Sequence, residues 1–513
     1  MSDSTDVTLR QTPSDWVAKH ARIAPDQIAI IDSETRLTYS ELDARVARMA
    51  TRLEVDGIKA GDSVATLLPN SWEMIVVVLA TLRRGAVALP MNPQYKESEI
   101  ESTLAGARPR VIFASSPQVP IVEEVLARIG GDAVSCVGVP NGEGSWIFDA
   151  SSSSPPAVSP EADTTIDSLP EFDGSEPVLW LYSSGSTGGS KKISRSRAQL
   201  AAEAIAFHKA VQTRADDVFL CTVPLSHAHG FSNGLVAATY VGATLVVHDR
   251  FDRRSFLRSV ETNRVTIVPG SPFMFKILAE TKMDREPDLG SIRLCITAGA
   301  PLTHDTYRAF RERFGISLRQ LYGSTETGVV SLNLSDDIDA TWDSVGAPLI
   351  GIEVDAFDEN AQILPPGQEG AIGIASPAMF DRYESDELNA TALKGGRLFL
   401  GDRGRVDADG RLYLTGRDTL FINLAGNKVD PAELEALFSK HPKVVESVAL
   451  GVTQRGGNEV VKVVVVANEP CEAGELIEFC RGRIADFKLP RIIEFRDEIP
   501  RNPLGKVLRK YLL

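Results

Sequence analysis

The chain has 513 residues, 43% of them hydrophobic, with a formal net charge of −15 and an isoelectric point near 5.1. Its length is sufficient for large hydrophobic cores and predicts more than one domain or subdomain. The acidic balance argues against nucleic-acid and anionic-membrane partners, because both attract clustered Lys and Arg. The five cysteines are widely spaced without a C-x-x-C pair, so neither a disulfide framework nor a zinc site is indicated.

The two ends of the chain carry no targeting pattern. Residues 1–6 lack the basic and apolar regions of a secretion signal. The apolar run at 74–82 is too short to span a bilayer, and residues 511–513 are not a peroxisomal address. We therefore expect a cytoplasmic protein without a membrane partner.

The first part of the chain alternates strand and helix patterns. Thr38 and Glu41 form an S/T-x-x-E capping box ahead of a helical apolar spacing. A strand pattern at 63–68, a helix pattern at 76–82 and a second strand pattern at 86–89 follow. This repetition predicts parallel βαβ units with helices on both faces of a sheet.

Residues 151–175 are rich in Ser, Pro and acidic residues, and we expect them to form an exposed connection. They lead to a glycine-rich loop at 182–192. The loop follows the apolar run 178–181, and its hydroxyl and backbone N–H groups suit phosphate oxygens. It is not the common P-loop, because Ser190 stands where that pattern needs Gly. The alternative is a flexible linker. The predicted phosphate-binding residues are Ser183, Ser184, Gly185, Ser186, Thr187, Gly188 and Lys191.

Two histidines, His227 and His229, follow a strand pattern at 218–220 and precede an apolar helix. If the segment were extended, both rings would face one side, so a metal pair is conceivable. No Cys or carboxylate adjoins them, and packed polar histidines are the favoured alternative. The small-residue turn at 297–302 follows another strand pattern and, on its own, indicates only a tight βα corner.

The segment 320–328 combines several groups that suit a nucleotide. Tyr322, Gly323, Thr325 and Glu326 offer base stacking, close backbone approach, a phosphate donor and one hard oxygen ligand. Mg²⁺ prefers such a ligand together with waters and phosphate oxygens. The alternative is a hairpin turn with a solvated Glu.

Asp402 follows a strand pattern at 398–400, where its two carboxylate oxygens could accept both ribose hydroxyls. A Gly-Asp pair is, however, usually a turn. A few residues later a hairpin-like segment ends at Arg417.

The last part of the chain reads as a small α+β unit. Gly426 lies in a turn between a strand and a helix that begins with Pro. A strand pattern at 460–466 and a helix pattern at 476–484 follow. Lys506 comes after a Gly in a turn and, on general grounds, would be solvated.

The order of these motifs, from Thr38 to Lys506, resembles the adenylate-forming superfamily of acyl-CoA synthetases, adenylation domains and firefly-type luciferases. The chain departs from the family pattern at Ser190, Lys192 and Thr419, where Pro, Gly and Asp or Lys are usual. The resemblance implies an α/β fold with a large N-terminal domain of α/β subdomains and a small mobile α+β C-terminal domain. The implied boundaries are 1–416, a hinge at 417–419, and 420–513.

The resemblance also implies a role for each motif. Tyr322 would stack on the base with Gly323 beside it, Thr325 would contact phosphate and Asp402 would contact the ribose. Arg417 would lie just before the hinge, and Glu326 would bind Mg²⁺. The acyl pocket would comprise His229, Phe231, Asn233, Gly299 and Ala300, with His227 next to the substrate carboxylate. Gly426 would line a pantetheine tunnel, and Lys506 would stabilise charge during adenylation.

The implied reaction is attack of a carboxylate on the α-phosphate of MgATP, giving acyl-AMP and pyrophosphate, followed by transfer to CoA. The His, Asn and Phe of the pocket suggest that the substrate is a small or aromatic acid with a polar group. We expect the protein to be a monomer or a homodimer. Three alternatives stay open: an adenylating ligase that uses a carrier protein, an amine or another small nucleophile; a non-catalytic nucleotide-binding protein; and a luciferase-like oxygenase.

Overall fold

The computed structural model describes most of the chain. The described residues are 9–33, 35–130, 134–139, 172–183, 191–417, 422–424, 427–454, 459–500, 507 and 509–513. Within these ranges the strands form five sheets. The helices are α1 (Pro13–Ile23), α2 (Tyr39–Val55), α3 (Trp72–Arg83), α4 (Glu97–Ala107), α5 (Val119–Arg128), α6 (Arg197–Val211), α7 (Ala228–Gly230), α8 (Ala237–Val241), α9 (Arg253–Asn263), α10 (Pro272–Glu280), α11 (His304–Phe314), α12 (Asp386–Ala392), α13 (Pro431–Phe438) and α14 (Ala473–Cys480).

The two largest sheets are mainly parallel. The N-terminal sheet has the order β6-β5-β3-β4-β7-β8, and the long sheet has the order β15-β14-β13-β12-β11-β9-β10-β1-β2. The N-terminal sheet contains β3 (Ser63–Leu67), β4 (Val87–Pro90), β5 (Val111–Ser115), β6 (Ser135–Val139), β7 (Pro177–Ser183) and β8 (Lys191–Ser196). The long sheet contains β1 (Ile28–Asp32), β2 (Thr35–Thr38), β9 (Val218–Cys221), β10 (Thr244–Val247), β11 (Ile267–Gly270), β12 (Leu294–Thr297), β13 (Leu318–Ser324), β14 (Gly328–Leu332) and β15 (Ala347–Pro348).

Three smaller sheets follow. The third sheet is antiparallel and contains β16 (Glu353–Phe357), β17 (Gly370–Ala375), β18 (Leu393–Lys394), β19 (Arg397–Val406) and β20 (Leu412–Arg417). The hairpin of β21 (Ile422–Leu424) and β22 (Asn427–Val429) precedes the C-terminal sheet of β23 (Val444–Thr453), β24 (Glu459–Ala467) and β25 (Ile492–Phe495). α13 and α14 pack on one face of this last sheet through Leu434, Phe438 and Leu476.

The main core joins the N-terminal sheet to the long sheet. α3 is apolar on all sides, and every residue from Met74 to Arg83 is buried. A helix of this kind must lie inside the protein, because it has no polar face for solvent. It packs in one cluster with strand residues such as Val64 and Phe113 of the N-terminal sheet and Leu245 of the long sheet.

The fold class predicted from the sequence is confirmed: a large α/β part precedes a small α+β part. The Thr38 capping box is formed, with Thr38 accepting from the backbone of Glu41. The prediction of a helix at 476–484 was wrong at its end, because the helix stops at Cys480 and Arg481 adopts an extended backbone. The predicted hinge at 417–419 lies largely outside the described residues, and most of the 151–175 connection lies outside them as well.

The small part docks on the large part through a buried ammonium group. Lys488 contacts Glu99 on α4 at 2.5 Å and Glu433 on α13 at 2.7 Å. Lys488 and Glu99 are each 9% exposed. The two carboxylates raise the pKa of Lys488 more than burial lowers it, so the lysine stays charged at neutral pH. This contact holds one relative placement of the two parts.

We predict that Gly346→Ala is strongly destabilising. Gly346 has φ +85°, and an added Cβ would lie 2.1 Å from the backbone oxygen of Leu332. Because a strand backbone cannot move cheaply, the free energy of unfolding should fall by about 3 kcal/mol or more. Gly367→Ala is the matched control: φ is +84° but nothing lies within 4 Å. It should lose only about 1–2 kcal/mol. Equal losses in denaturant titrations of the two variants would contradict the steric explanation.

Candidate active site

The candidate site lies at the carboxyl edge of the long sheet. β9, β11, β12 and β13 run parallel as neighbours, so the loops that follow them meet at one edge. A cavity of about 1020 Å³ opens there and extends to the third sheet and the small C-terminal part. Its lining includes these predicted site residues: Lys191, His227, His229, Asn233, Gly299, Gly323, Thr325, Glu326 and Asp402.

Tyr322 and Asp402 connect the long sheet to the third sheet. The Tyr322 hydroxyl donates to Asp402 Oδ2 at 2.6 Å, and both residues are buried. A charge-assisted hydrogen bond of this length holds the carboxylate in one orientation at the cavity wall. Tyr322 itself does not line the cavity within the described part of the chain.

The β13–β14 hairpin carries Thr325 and Glu326 in a short loop. The Glu326 carboxylate is 8% exposed and accepts a hydrogen bond from the Tyr383 hydroxyl at 3.2 Å. The Glu326 backbone oxygen accepts from Phe380 N at 2.8 Å. Among the described residues no Lys or Arg forms an ion pair with Glu326. A buried carboxylate that lines a cavity without a protein cation is suited to one divalent ion.

The two lysines after the glycine-rich loop have different surroundings. The Lys191 ammonium lies over the Tyr383 ring, 5.2 Å from its centroid, and lines the cavity. Lys192, one of the departures from the family pattern, lies over the Trp180 ring and pairs with Glu384 at 2.5 Å. Within the described residues, Lys192 does not line the cavity.

The two histidines form a hydrogen-bonded turn. His227 precedes α7, and its Nδ1 accepts from the backbone N–H of His229 at 3.3 Å. The segment is thus helical at His229 and not extended. His229 Nε2 lies 3.1 Å from the carbonyl oxygen of Gly270, and Nδ1 lies 2.8 Å from Asn233 Nδ2. Because a carbonyl oxygen only accepts, Nε2 carries the proton and Nδ1 accepts from Asn233.

The surroundings of both imidazoles lower their pKa values, and burial is the main cause at His229. It lowers the pKa of His229 to about 4, against a smaller opposing effect of the Gly270 hydrogen bond. Burial also lowers the pKa of His227, and the Lys428 ammonium lowers it further. The His227 ring faces the open cavity, so solvent weakens the effect there. Around these rings, the described residues contain no cluster of three or more His, Cys, Asp or Glu that could hold a metal ion.

Several predicted residues lie elsewhere. Phe231 is fully buried in the main core, and neither it nor Ala300 lines the cavity described here. The predicted positions outside the described residues are Ser184, Gly185, Ser186, Thr187, Gly188, Gly426 and Lys506, and the side chains of Ser183 and Arg417 are likewise not described.

The structure adds cavity residues that the sequence analysis did not single out. Lys428 and Asn427, on β22, line the cavity next to His227. They directly follow the Gly426 turn, so the motif itself was a signal for them. Tyr383 lies in a loop before α12 that carries no local pattern, and only the fold brings it to Glu326.

These features are typical of an adenylating enzyme: Lys191, Asp402 and Glu326 line one large cavity at a sheet edge. Residues 17–384 match the AMP-binding enzyme family, and residues 433–506 match the AMP-binding enzyme C-terminal domain. The chain therefore belongs to the AMP-binding enzyme family.

The similar proteins are ligases. The chain is 31% identical over 503 residues to the indoleacetate–CoA ligase of Aromatoleum aromaticum, an alignment that covers 96% of each protein. The amide bond synthetase McbA of Marinactinospora thermotolerans has a TM-score of 0.86 at 27% identity, covering 98% of this chain and 99% of that chain.

A third relative, the o-succinylbenzoate CoA synthetase MenE of Bacillus subtilis, matches in two complexes. A double mutant bound with the product analogue OSB-NCoA has a TM-score of 0.82 at 26% identity, covering 97% of this chain and 98% of that chain. The complex with AMP has a TM-score of 0.67 at the same identity, covering 97% of each chain.

The predicted class is confirmed: the chain is an ATP-using, AMP-forming ligase of the acyl-CoA synthetase type, which activates a carboxylic acid as acyl-AMP before transfer. In the described part of the chain, no helix has the length and apolar content needed to cross a membrane.

We predict a pH-dependent stability from His229. The unfolded chain binds a proton at this histidine near its ordinary pKa of 6.5, whereas the folded chain does so only near 4. The unfolded state therefore binds more protons in this window, and the free energy of unfolding falls as the pH drops from 6.5 towards 4. In His229→Gln, denaturant titrations should give a slope smaller by about 0.5–1 kcal/mol per pH unit. An unchanged slope would contradict a neutral buried imidazole.

Proposed function

We propose that the substrate is an aromatic carboxylic acid and that CoA accepts its acyl group. The observation that carries the proposal is the state of His229, whose two ring nitrogens are already hydrogen-bonded to Gly270 and Asn233. The neutral ring therefore offers the cavity an aromatic surface instead of a charge or a free donor. Gly299 and Gly323 belong to the same lining.

The similar enzymes support this substrate class. Indoleacetate and o-succinylbenzoate, the acids named for two of them, both carry an aromatic ring next to a short carboxylate arm. His227, one turn from the aromatic wall, would contact the reacting carboxylate. Its neutral state at pH 7 lets it donate a hydrogen bond to that carboxylate without a competing positive charge.

The nucleotide would lie between the third sheet and the glycine-rich loop. Asp402 would accept the ribose hydroxyls, oriented by the buried Tyr322 hydroxyl. Lys191 and the loop before it would hold phosphate oxygens, together with Thr325. Tyr322 as a stacking partner of adenine stays a prediction, as do Arg417 before the hinge and the glycine-rich loop itself.

Mg²⁺ would be held by Glu326, whose carboxylate Tyr383 orients. The ion would neutralise charge on the phosphate oxygens during adenylation. The chain's own residues hold the acid and the nucleotide in line, so positioning and charge stabilisation supply most of the rate enhancement.

We further propose that the small part takes two placements. The two MenE complexes differ in TM-score by 0.15, from 0.82 to 0.67, at equal identity and nearly equal coverage. A whole-chain score that drops without loss of coverage indicates a different arrangement of the parts. We infer from these scores that the described placement is nearer to that of the CoA-product analogue complex. A second placement would bring Lys506 to the cavity for adenylation.

We predict that pyrophosphate release from MgATP depends on the added acid. The kcat/KM should be at least about tenfold greater for arylacetic or hydroxycinnamic acids than for octanoic acid. This ratio corresponds to a difference of about 1.4 kcal/mol in transition-state binding. CoA should increase turnover and yield a thioester. Lys506→Ala should slow adenylation by about 100-fold or more, yet change transfer from a synthetic acyl-AMP to CoA by less than about fivefold.

The likeness to an amide bond synthetase makes an amine the second candidate for the acceptor. The same assay distinguishes an amine from CoA. Amide formation from acyl-AMP and a primary amine, with no thioester when CoA is present, would replace CoA as the acceptor. Tight ATP binding without pyrophosphate release for any acid would contradict the proposed activity altogether.

For the metal, we predict that Glu326→Gln raises the Mg²⁺ concentration for half-maximal pyrophosphate release by about tenfold and lowers the rate by about 100-fold, because the amide keeps the shape but loses the charge. Glu312→Gln, which removes an exposed carboxylate on α11, is the control and should behave as the wild type. A wild-type Mg²⁺ requirement in Glu326→Gln would rule out this carboxylate as the ligand.

A further inference from the structure

A buried ion pair lies behind the loop that carries Thr325 and Glu326. Arg195 on β8 is 1% exposed, Glu203 on α6 is 3% exposed, and Arg195 Nη2 lies 3.1 Å from Glu203 Oε2. Neither residue belongs to the sequence motifs described above. Arg195 Nη1 and Glu203 Oε1 each contact the β13–β14 hairpin.

The pair contacts the hairpin loop at both ends. Arg195 Nη1 donates to the backbone oxygen of Thr325 at 3.3 Å. Glu203 Oε1 accepts from the backbone N–H of Val329 at 2.9 Å. Thr325 begins the loop and Val329 follows it, so the ion pair bridges the two strands of the hairpin from outside the sheet.

The glycine at the end of the loop matches this contact. Gly328 has φ +67°, and an added Cβ would lie 2.8 Å from Glu203 Cδ. The Glu203 carboxylate therefore packs directly against the turn, and no larger residue fits between them without displacing one or the other.

The stability of the fold does not account for this arrangement. The cost of removing two charges from water often equals their attraction, so a buried ion pair is a weak stabiliser. Arg195 Nε, moreover, has no hydrogen-bond partner among the described residues. A hydrogen-bonded pair in a low-dielectric interior does, however, fix the groups that it contacts.

The same guanidinium links two parts of the nucleotide site. Arg195 lies on β8, the strand that begins with Lys191 directly after the glycine-rich loop. Lys191 and Glu326 both contact Tyr383, the lysine through the ring and the carboxylate through the hydroxyl. The ion pair thus connects the strand of the phosphate lysine to the loop of the metal carboxylate.

We propose that Arg195 and Glu203 are positioning residues for adenylation, which hold Thr325 and Glu326 at the distance from Lys191 that MgATP requires. This inference rests on the proposed function, because it assumes that these three residues serve the nucleotide and its metal ion. Neither Arg195 nor Glu203 touches the reacting atoms; both act through the hairpin loop. The acyl transfer step, which needs no phosphate alignment, does not depend on them.

The test compares the two half-reactions in Arg195→Met, Glu203→Gln and the double variant. The amide introduced by Glu203→Gln keeps an oxygen for the Val329 N–H, so the fold is preserved while the charge pair is lost. ATP–pyrophosphate exchange should fall by about 10–100-fold, the effect of an ångström-scale misplacement, and the Mg²⁺ concentration for half-maximal exchange should rise several-fold. Transfer from a synthetic acyl-AMP to CoA should change by less than about threefold.

Arg293→Met is the control, because it breaks another ion pair, which joins the partly exposed Arg293 to the buried Asp217 at 2.7 Å and does not line the cavity. It should leave the ratio of the two half-reactions and the Mg²⁺ requirement unchanged. The inference is overturned if the Arg195 and Glu203 variants lose both half-reactions equally, or if they keep the wild-type Mg²⁺ requirement. Absence of exchange in the wild type would instead contradict the proposed function itself.

Discussion

The active site depends on the parallel register of the central strands of the long sheet. Ile267 on β11 is opposite Leu294 on β12, and Cys295 on β12 is opposite Leu318 on β13, so these strands end at a common edge. Because the loops that carry His227, Gly299 and Glu326 follow these strands or the neighbouring β9, groups far apart in the sequence converge there. The cavity is therefore a consequence of strand pairing, and the loops could change their chemistry without changing its position.

Polar contacts between elements hold the cavity wall. Tyr322 bonds Asp402 between the long and the third sheet, and Tyr383 bonds Glu326 between a loop and the hairpin. Behind this wall lies the Arg195–Glu203 ion pair, which contributes alignment more than stability. Such contacts suit a reaction without a covalent enzyme intermediate, in which catalysis rests on the placement of charge and on the exclusion of water.

Neutral and charged side chains both line the cavity. The lining at His229 is neutral, because hydrogen bonds to Gly270 and Asn233 hold the ring in one tautomer and burial lowers its pKa. The docked C-terminal portion adds charged groups to the lining, with Lys428 beside His227 and Lys488 between two carboxylates.

The sequence alone indicated the fold class, several strands and helices, and the order of the motifs, because apolar periodicity and capping residues are local properties. It also placed His227, Asn233, Glu326 and Asp402 in motifs that the structure brings to one cavity. It did not exclude Phe231 from the pocket, since its burial depends on the direction of a helix and its neighbours in the core. Nor did it indicate Tyr383, or the pairing of Arg195 with Glu203 behind the hairpin. Only the tertiary structure decided these contacts, because each joins elements whose approach is set by sheet order and packing rather than by any local pattern.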